Sequence, residues 1–397
     1  MRRGPLLGLG IGVAAGALAA GFLAPATPLA EPLIDGDPEA RATTLPTVPV
    51  RPPPGSDDVL LAWTPGRLPK GIVTAVGALP GVTGVASVNL DLLSMTESVS
   101  AKGAVVDTAP SGLVFPLEAI ALSPLEYRRF LPETERTLLD GLRRGGAWLG
   151  TTSAAIRRIG PGGRLRLPDG GELTVTAVVP DDVIGAAEVV VSQVTGSRLG
   201  VVTPRYLLIS YEGDRPAIED AVRSAFAGLP VRLRAPGETP FMRYGDAVLP
   251  QSLIKAQFGE FAYRMVDERS VEQDPGWVAD NIVTTELPLL GQVTCHRSVL
   301  PLVHNAMAEM KKRDLGSLVD PEEFAGCWNP RLIAAGRGIS RHAWGAALDI
   351  NWDGNPTGIG SDQDPRLVDA MVKQGFTWGG PWLIPDPAHF EWVGGAP

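Results

Sequence analysis

Histidine and cysteine are scarce in this sequence. Its 397 residues include four histidines and two cysteines, and no histidine precedes His296. Two cysteines exclude a four-cysteine metal site, and their spacing excludes the CxxC motif of redox proteins. The sequence also lacks any long run of Lys and Arg, and its net charge is −9. Because phosphate backbones are bound by clustered basic residues, nucleic acid is excluded as a partner.

The composition predicts a globular chain. Hydrophobic residues make up 44% of the sequence and charged residues 20%, which is typical of folded proteins and not of disordered ones. A chain of this length has enough apolar material for two or three domains.

The first 30 residues are predicted to be a signal peptide or a membrane anchor. Arg2 and Arg3 precede an uncharged apolar run over residues 4–23, and small residues follow, with candidate cleavage sites after Ala26 and Ala30. This is the layout of a secretory signal, and the run is also about as long as a bilayer-spanning helix needs to be. In both cases the rest of the chain is extracytoplasmic, either secreted or anchored to the cytoplasmic membrane.

An extracytoplasmic location favours a disulfide between Cys295 and Cys327, since the sequence offers no third cysteine. Two buried free thiols are the alternative.

Three further regions follow the N-terminal segment. Residues 31–56 are rich in Pro and Thr and predict an extended linker. Residues 57–240 predict an α+β domain without histidine, and breakers over residues 235–251 separate it from a third region, residues 251–397. Alternating apolar residues and turn signals predict strands at 60–64, 85–93, 187–192, 206–210 and 231–234, a hairpin over 164–179, and helices at 69–79, 215–226 and 299–312.

The middle region resembles, in its layout, the extracytoplasmic domain of FtsX-like ABC permeases. The stretches that carry the resemblance are LPGVTGVASV (79–88) and IRRIGPGGRLRLPDGGELTVTAVV (156–179). The resemblance implies an interaction or regulatory module with a protein partner, and an unrelated α+β domain is the alternative.

The scarce histidines stand in strand-like segments near the C-terminus. In ALDIN (347–351), Leu348 and Ile350 are predicted to face the core while Asp349 faces the other way, and His342 precedes this strand by a turn. In HFEW (389–392), His389 lies on the face opposite the aromatic residues. If the two strands pair, His342, Asp349 and His389 meet. Two imidazoles and one carboxylate form a typical catalytic zinc set, so we expect Zn²⁺ as the cofactor.

A zinc hydrolase also needs a base and a group that stabilises an oxyanion. Asp386, three residues before His389, is the candidate base, with a turn or helix-capping role as the alternative. Arg297 is the candidate for the oxyanion or a substrate carboxylate. Glu391 shares a strand face with His389 and is expected to orient it, and His296 is expected to line the cleft behind the reacting groups. His304 is expected to face solvent or to pack.

These residues form a motif pair, S-x-H-x-x-G-x-A-x-D over 340–349 and D-x-x-H-F-E-W over 386–392. The pair resembles the D-alanyl-D-alanine carboxypeptidase-like zinc peptidases, a group that includes L-alanyl-D-glutamate endolysins. The resemblance covers about 251–397 and implies a small antiparallel sheet flanked by helices. It implies that His342, Asp349 and His389 bind zinc, that Asp386 and Arg297 are catalytic, and that Ser340 helps to place the substrate. Several carboxypeptidases carry Glu where Asp386 stands, so the Asp form is closer to the endolysin branch.

The expected function is therefore that of an exported zinc metallopeptidase acting on the stem peptides of peptidoglycan, with either D-Ala-D-Ala or L-Ala-D-Glu as the bond that is cleaved. The alternative is a catalytically silent module that keeps the fold and binds the cell wall or a partner. In a third interpretation the 57–240 domain is a scaffold that recruits or restrains the peptidase.

Overall fold

The computed structural model describes residues 58–247, 249–333 and 338–393. The predicted signal peptide or anchor (1–30) and the predicted linker (31–56) lie outside these residues. Among the helices that the structure describes, none has the length and apolar character needed to cross a membrane. The described chain mixes helices and sheets, as the α+β prediction requires.

The first part of the chain, residues 58–234, is here called the amino-terminal body. It contains one sheet of eleven strands in the order β11-β1-β10-β2-β5-β9-β6-β8-β7-β3-β4. The strands are β1 (Val59–Trp63), β2 (Val82–Met95), β3 (Glu97–Val99), β4 (Val105–Thr108), β5 (Phe115–Leu122), β6 (Ala147–Gly150), β7 (Arg164–Arg166), β8 (Glu172–Val179), β9 (Val189–Ser192), β10 (Pro204–Tyr211) and β11 (Arg232–Arg234). The helices are α1 (Ile72–Gly77), α2 (Pro124–Tyr127), α3 (Leu139–Arg143), α4 (Thr151–Arg157), α5 (Gln193–Leu199) and α6 (Arg215–Ala225).

Most neighbouring strands of this sheet are antiparallel, and only the β5–β9 and β6–β8 pairs are parallel. The hairpin predicted over residues 164–179 is present as β7 and β8. Strand β11 follows α6 and pairs with β1, so β1 lies between β10 and β11. Successive side chains along the strands point to opposite faces of the sheet, and each face is buried in its own hydrophobic cluster.

Residues 251–393 are here called the carboxy-terminal body. Its helices are α7 (Gln251–Phe258), α8 (Pro275–Asn281), α9 (Leu300–Lys312) and α10 (Pro365–Val372). Its strands are β12 (Tyr263–Met265), β13 (Val271–Gln273), β14 (Ile282–Leu287), β15 (Gly291–His296), β16 (Phe324–Gly326), β17 (Ala347–Ile350), β18 (Phe376–Gly379) and β19 (Asp386–Trp392). The last four strands form an antiparallel sheet in the order β16-β17-β19-β18. Helices α9 and α10 contribute to the same hydrophobic core as this sheet.

Residues 235–250 connect the two bodies and are here called the connecting segment. Arg234 at the end of β11 donates hydrogen bonds to the carbonyl oxygens of Arg243 (3.2 Å) and Gly245 (2.7 Å). Met242 and Tyr244 pack against the core of the amino-terminal body. The segment is therefore held on the surface of the eleven-stranded sheet.

Buried charges join the two bodies. Lys255 on α7 donates to Glu188 and to Glu260, with 2.7 Å between Nζ and one oxygen of each carboxylate. Arg157 of α4 pairs with the same two carboxylates. The side chains of Arg157, Glu188 and Lys255 are fully buried. Two cations and two anions thus neutralise one another inside the contact. The boundary proposed between separate domains 57–240 and 251–397 stays a prediction.

Candidate metal centre

His342 lies in a short 3₁₀ helix whose two ends the motif residues determine. The hydroxyl of Ser340 accepts a hydrogen bond from the backbone N–H of His342 at 3.4 Å, which satisfies one of the free donors at the start of the helix. Gly345 ends the helix with φ of 62°. A Cβ there would lie 2.4 Å from the backbone nitrogen of His296. Glycine at this position therefore lets the 3₁₀ helix approach β15 closely.

Asp349 and His389 are direct cross-strand partners on β17 and β19. The pairing that the sequence analysis anticipated is present. Leu348, Ile350 and Phe390 are fully buried on the opposite side. The core face and the ligand face of the two strands are therefore separated by the simple alternation of the pleat.

Three side chains converge on one point. The distances are 3.3 Å from His342 Nε2 to Asp349 Oδ2, 3.0 Å from His389 Nδ1 to Asp349 Oδ1, and 3.3 Å between the two ring nitrogens. All three ligand atoms lie within 4.8 Å of one another. Two imidazole nitrogens and a carboxylate oxygen are ligands that suit Zn²⁺, and three protein ligands are the usual number at a catalytic zinc. The donor set fits the predicted cofactor.

The other nitrogen of each imidazole has a partner behind the cluster. His342 Nδ1 lies 2.9 Å from the carbonyl oxygen of Cys327, and His389 Nε2 lies 3.5 Å from Glu391 Oε2. A carbonyl and a carboxylate in these positions accept from N–H and leave the opposite nitrogen with its lone pair toward the cluster. Glu391 is only 3% exposed, and its role in orienting His389 stays a prediction.

Cys327 is tied to β15 by a disulfide with Cys295. The bridge fixes the residue whose carbonyl oxygen contacts His342. The predicted disulfide is therefore present, and the alternative of two free thiols is wrong.

The neighbouring groups shift the pKa values of Asp349 and His389. Burial disfavours the charged form of Asp349, but hydrogen bonds from His342 and His389 outweigh that effect and hold the pKa of Asp349 well below its ordinary value. Burial also disfavours a charged ring at His389, whereas hydrogen bonds to Asp349 and Glu391 raise its pKa to about 10. Metal ions bind the neutral imidazole, so protonation of His389 and metal binding would compete.

Replacing Glu391 by glutamine is expected to weaken zinc binding by about 10- to 100-fold, because carboxylates behind a ligating histidine fix its orientation and basicity. Competition with a chromogenic zinc chelator measures the affinity. Glu309→Gln is the matched control, since this partly exposed residue on α9 pairs with Arg313 away from the cluster. Equal affinities of the two variants would contradict the orienting role of Glu391.

The remaining predicted residues lie outside the three-ligand cluster. Asp386 begins β19, and one of its carboxylate oxygens accepts from the hydroxyl of Thr357 at 2.8 Å. Arg297 is exposed and follows β15. His296 is buried, and its ring packs edge-on against Phe258 with 4.8 Å between ring centres. Burial lowers the pKa of His296 to about 4, so this histidine is neutral.

Two features of the site were not predicted from sequence. One is the carbonyl oxygen of Cys327, because any residue supplies a carbonyl and none marks it in the sequence. The other is Trp382, whose ring centre lies 5.2 Å from that of His389. The sequence signal for Trp382 is its place in a Gly- and Pro-containing loop close before Asp386.

The comparisons with known proteins place a family likeness on this part of the chain. Residues 334–392 match the family model described as D-alanyl-D-alanine carboxypeptidase. The matched stretch contains the three ligand residues and Asp386, and it is shorter than the region 251–397 over which the resemblance was expected. The comparison with curated proteins gives no match.

Two solved structures are similar to part of the chain. The periplasmic region of MacB from Actinobacillus actinomycetemcomitans shares 8% identity over 46% of this chain and 90% of its own, with a TM-score of 0.32. The extracellular domain of the noncanonic ABC-type transporter YknZ from Gram-positive bacteria shares 11% identity over 45% of this chain and 100% of its own, with a TM-score of 0.29. TM-scores this low carry no functional conclusion.

Proposed function

We propose that this protein is an exported zinc metallopeptidase that hydrolyses peptide bonds in the stem peptides of peptidoglycan, of the D-Ala-D-Ala carboxypeptidase or the L-Ala-D-Glu endopeptidase type. The observation that carries the proposal is the convergence of His342, Asp349 and His389 within a stretch similar to carboxypeptidases. The disulfide supports an extracytoplasmic location, because such bonds persist in oxidising compartments.

His342 Nε2, one oxygen of Asp349 and His389 Nδ1 would hold the zinc ion. Zinc in such a site polarises a carbonyl group and makes a water molecule acidic near neutral pH. The buried rings of His342 and His389 are kept in place from behind by Cys327 and Glu391, so the chain supplies a preorganised set.

Asp386 is proposed to move the proton. Its carboxylate takes a proton from the attacking water and delivers it to the leaving amine as the C–N bond breaks, which is general base and then general acid catalysis. The hydrogen bond from Thr357 steadies one carboxylate oxygen for this task. Arg297 is proposed to support the negative charge that develops on the carbonyl oxygen, and Ser340 is proposed to help place the substrate from its position before His342.

The proposal is tested by mass spectrometry of muropeptides incubated with the full-length, zinc-loaded chain. Loss of a terminal D-Ala would identify a carboxypeptidase. Release of the rest of the stem peptide from L-Ala would identify an endopeptidase. If the chain binds zinc and leaves every fragment intact, the enzyme proposal is wrong for this substrate and a silent wall-binding module takes its place.

Replacing Asp386 by asparagine is expected to lower kcat by about 10²- to 10⁴-fold, the usual contribution of a positioned acid or base. The zinc content should stay unchanged, because Asp386 is not part of the ligand cluster. Asp369→Asn is the matched control, since Asp369 is an exposed partner of Lys373 on α10. A fall in kcat shared by both variants, or a loss of zinc in Asp386→Asn, would remove the assigned role.

A further inference from the structure

The loop between β18 and β19 brings an indole ring to the metal centre. Trp382 is partly exposed, and its ring packs beside the buried ring of His389. The loop turns sharply, since the N–H of Trp382 donates to the carbonyl oxygen of Gly379 at 3.1 Å. A Cβ at Gly380 would lie 2.3 Å from the ring of Trp378. Glycine at position 380 therefore leaves room for the ring of Trp378 at this turn.

Both neighbours of Trp382 are held by residues outside the carboxy-terminal body. The N–H of Leu383 donates to Asp246 Oδ2 of the connecting segment at 2.7 Å. The carbonyl oxygen of Pro381 accepts from Arg232 of β11 at 3.1 Å. The side chain of Leu383 packs against the hydrophobic core of the amino-terminal body.

Asp246 is itself fixed to the amino-terminal body. Arg234 lies 3.0 Å and Arg232 3.5 Å from Asp246 Oδ1, while Oδ2 faces the loop. The side chain of Asp246 is only 9% exposed, so solvent screens these contacts weakly. Ion pairs and a hydrogen bond therefore connect β11 through Asp246 to the backbone beside Trp382.

We propose that Trp382 is a wall of the substrate cleft that contacts the small apolar side chain next to the scissile bond, and that the amino-terminal body sets its position through Asp246 and Arg232. Trp382 thereby determines specificity, and Asp246 is a positioning residue. The indole face offers an apolar surface that suits the methyl group of alanine. This inference rests on the proposed peptidase function for its substrate and on the contacts above for the position of Trp382.

The first readout is steady-state kinetics on a stem-peptide muropeptide. Trp382→Ala is expected to raise KM by about tenfold or more, the factor that corresponds to losing the burial of about one apolar side chain. Asp246→Ala is expected to raise KM by a smaller factor than Trp382→Ala does, and to change kcat little. Glu238→Ala is the matched control, because Glu238 lies in the same segment but bonds Arg215 and the backbone of Ala235.

The second readout needs no turnover. Co²⁺ added to the metal-free chain quenches nearby tryptophans, and the difference between wild type and Trp382→Phe isolates the contribution of Trp382. We expect this contribution to fall in Asp246→Ala and to stay at the wild-type level in Glu238→Ala. Arg232→Ala replaces Asp246→Ala if the latter fails to fold, since its side chain is 35% exposed and it contacts the same loop.

The outcomes separate the two proposals. Quenching of Trp382 without any muropeptide cleavage would overturn the proposed function and leave the position of Trp382 supported. Cleavage with equal quenching in Asp246→Ala and Glu238→Ala would overturn the positioning role of the amino-terminal body. No quenching difference between wild type and Trp382→Phe would overturn the placement of Trp382, and no quenching at all would overturn both proposals.

Discussion

Replacing His389 by alanine is expected to release the metal ion and to lower kcat by at least about a thousandfold. The proposed zinc site uses three side chains, and Nδ1 of His389 lies 3.0 Å from the carboxylate of Asp349 and 3.3 Å from His342 Nε2. Removing it leaves two ligands and an empty volume in a buried part of the chain. A metal ion contributes several kcal/mol of transition-state stabilisation, and about 4 kcal/mol corresponds to a thousandfold in rate.

His304→Ala is the control for this variant. His304 is exposed on α9, so its removal deletes an imidazole without touching the cluster. Zinc content by atomic absorption and muropeptide cleavage should both be lost in His389→Ala and retained in His304→Ala. Retention of stoichiometric zinc by His389→Ala would show that the ion is bound elsewhere.

Replacing Lys255 by alanine is expected to lower the free energy of unfolding by about 3–5 kcal/mol, the range seen when one partner of a buried ion pair is removed. Burial lowers the pKa of Lys255 to about 7 even though Glu188 counteracts the effect. The charge of Glu188 therefore favours the ammonium form of Lys255 against the effect of burial. Without it, Glu188 and Glu260 share the single cation of Arg157 inside the contact between the two bodies.

Urea unfolding of the full-length chain, followed by tryptophan fluorescence, measures this effect. Lys373→Ala is the matched control: Lys373 forms an exposed pair with Asp369 on α10, and such pairs contribute at most about 1 kcal/mol. If both lysine variants unfold at the same urea concentration, the buried charges do not stabilise the contact.

The sequence predicted the parts of the fold and of the site that depend on local patterns. Alternation of apolar residues located β17 and β19, and the same alternation placed Asp349 and His389 on the shared outer face. The hairpin around residues 168–171 and helix α9 were marked by turn residues and by amphipathic spacing. In each case the signal lies within a few residues of the structure that it predicts.

Local sequence patterns could not predict the contacts between distant segments of the chain. Arg157, Glu188, Lys255 and Glu260 come from separate elements, and each alone is an ordinary charged residue of a surface. Nothing near Lys255 in the sequence indicates that it is fully buried, because burial depends on how α4 and α7 pack. The position of Trp382 has the same origin, since the residues that hold its loop, Arg232 and Asp246, lie well over a hundred positions earlier in the chain.

The direct pairing of Asp349 with His389 has a consequence for how errors in folding are avoided. If β17 slipped by one residue relative to β19, Asp349 would lie on the face of the sheet opposite His389. It would also expose Leu348 and Ile350, which are now completely shielded from water. Their burial contributes about 1.5–3 kcal/mol each. The hydrophobic free energy that stabilises the sheet therefore also selects the one register in which Asp349 and His389 lie on the same face.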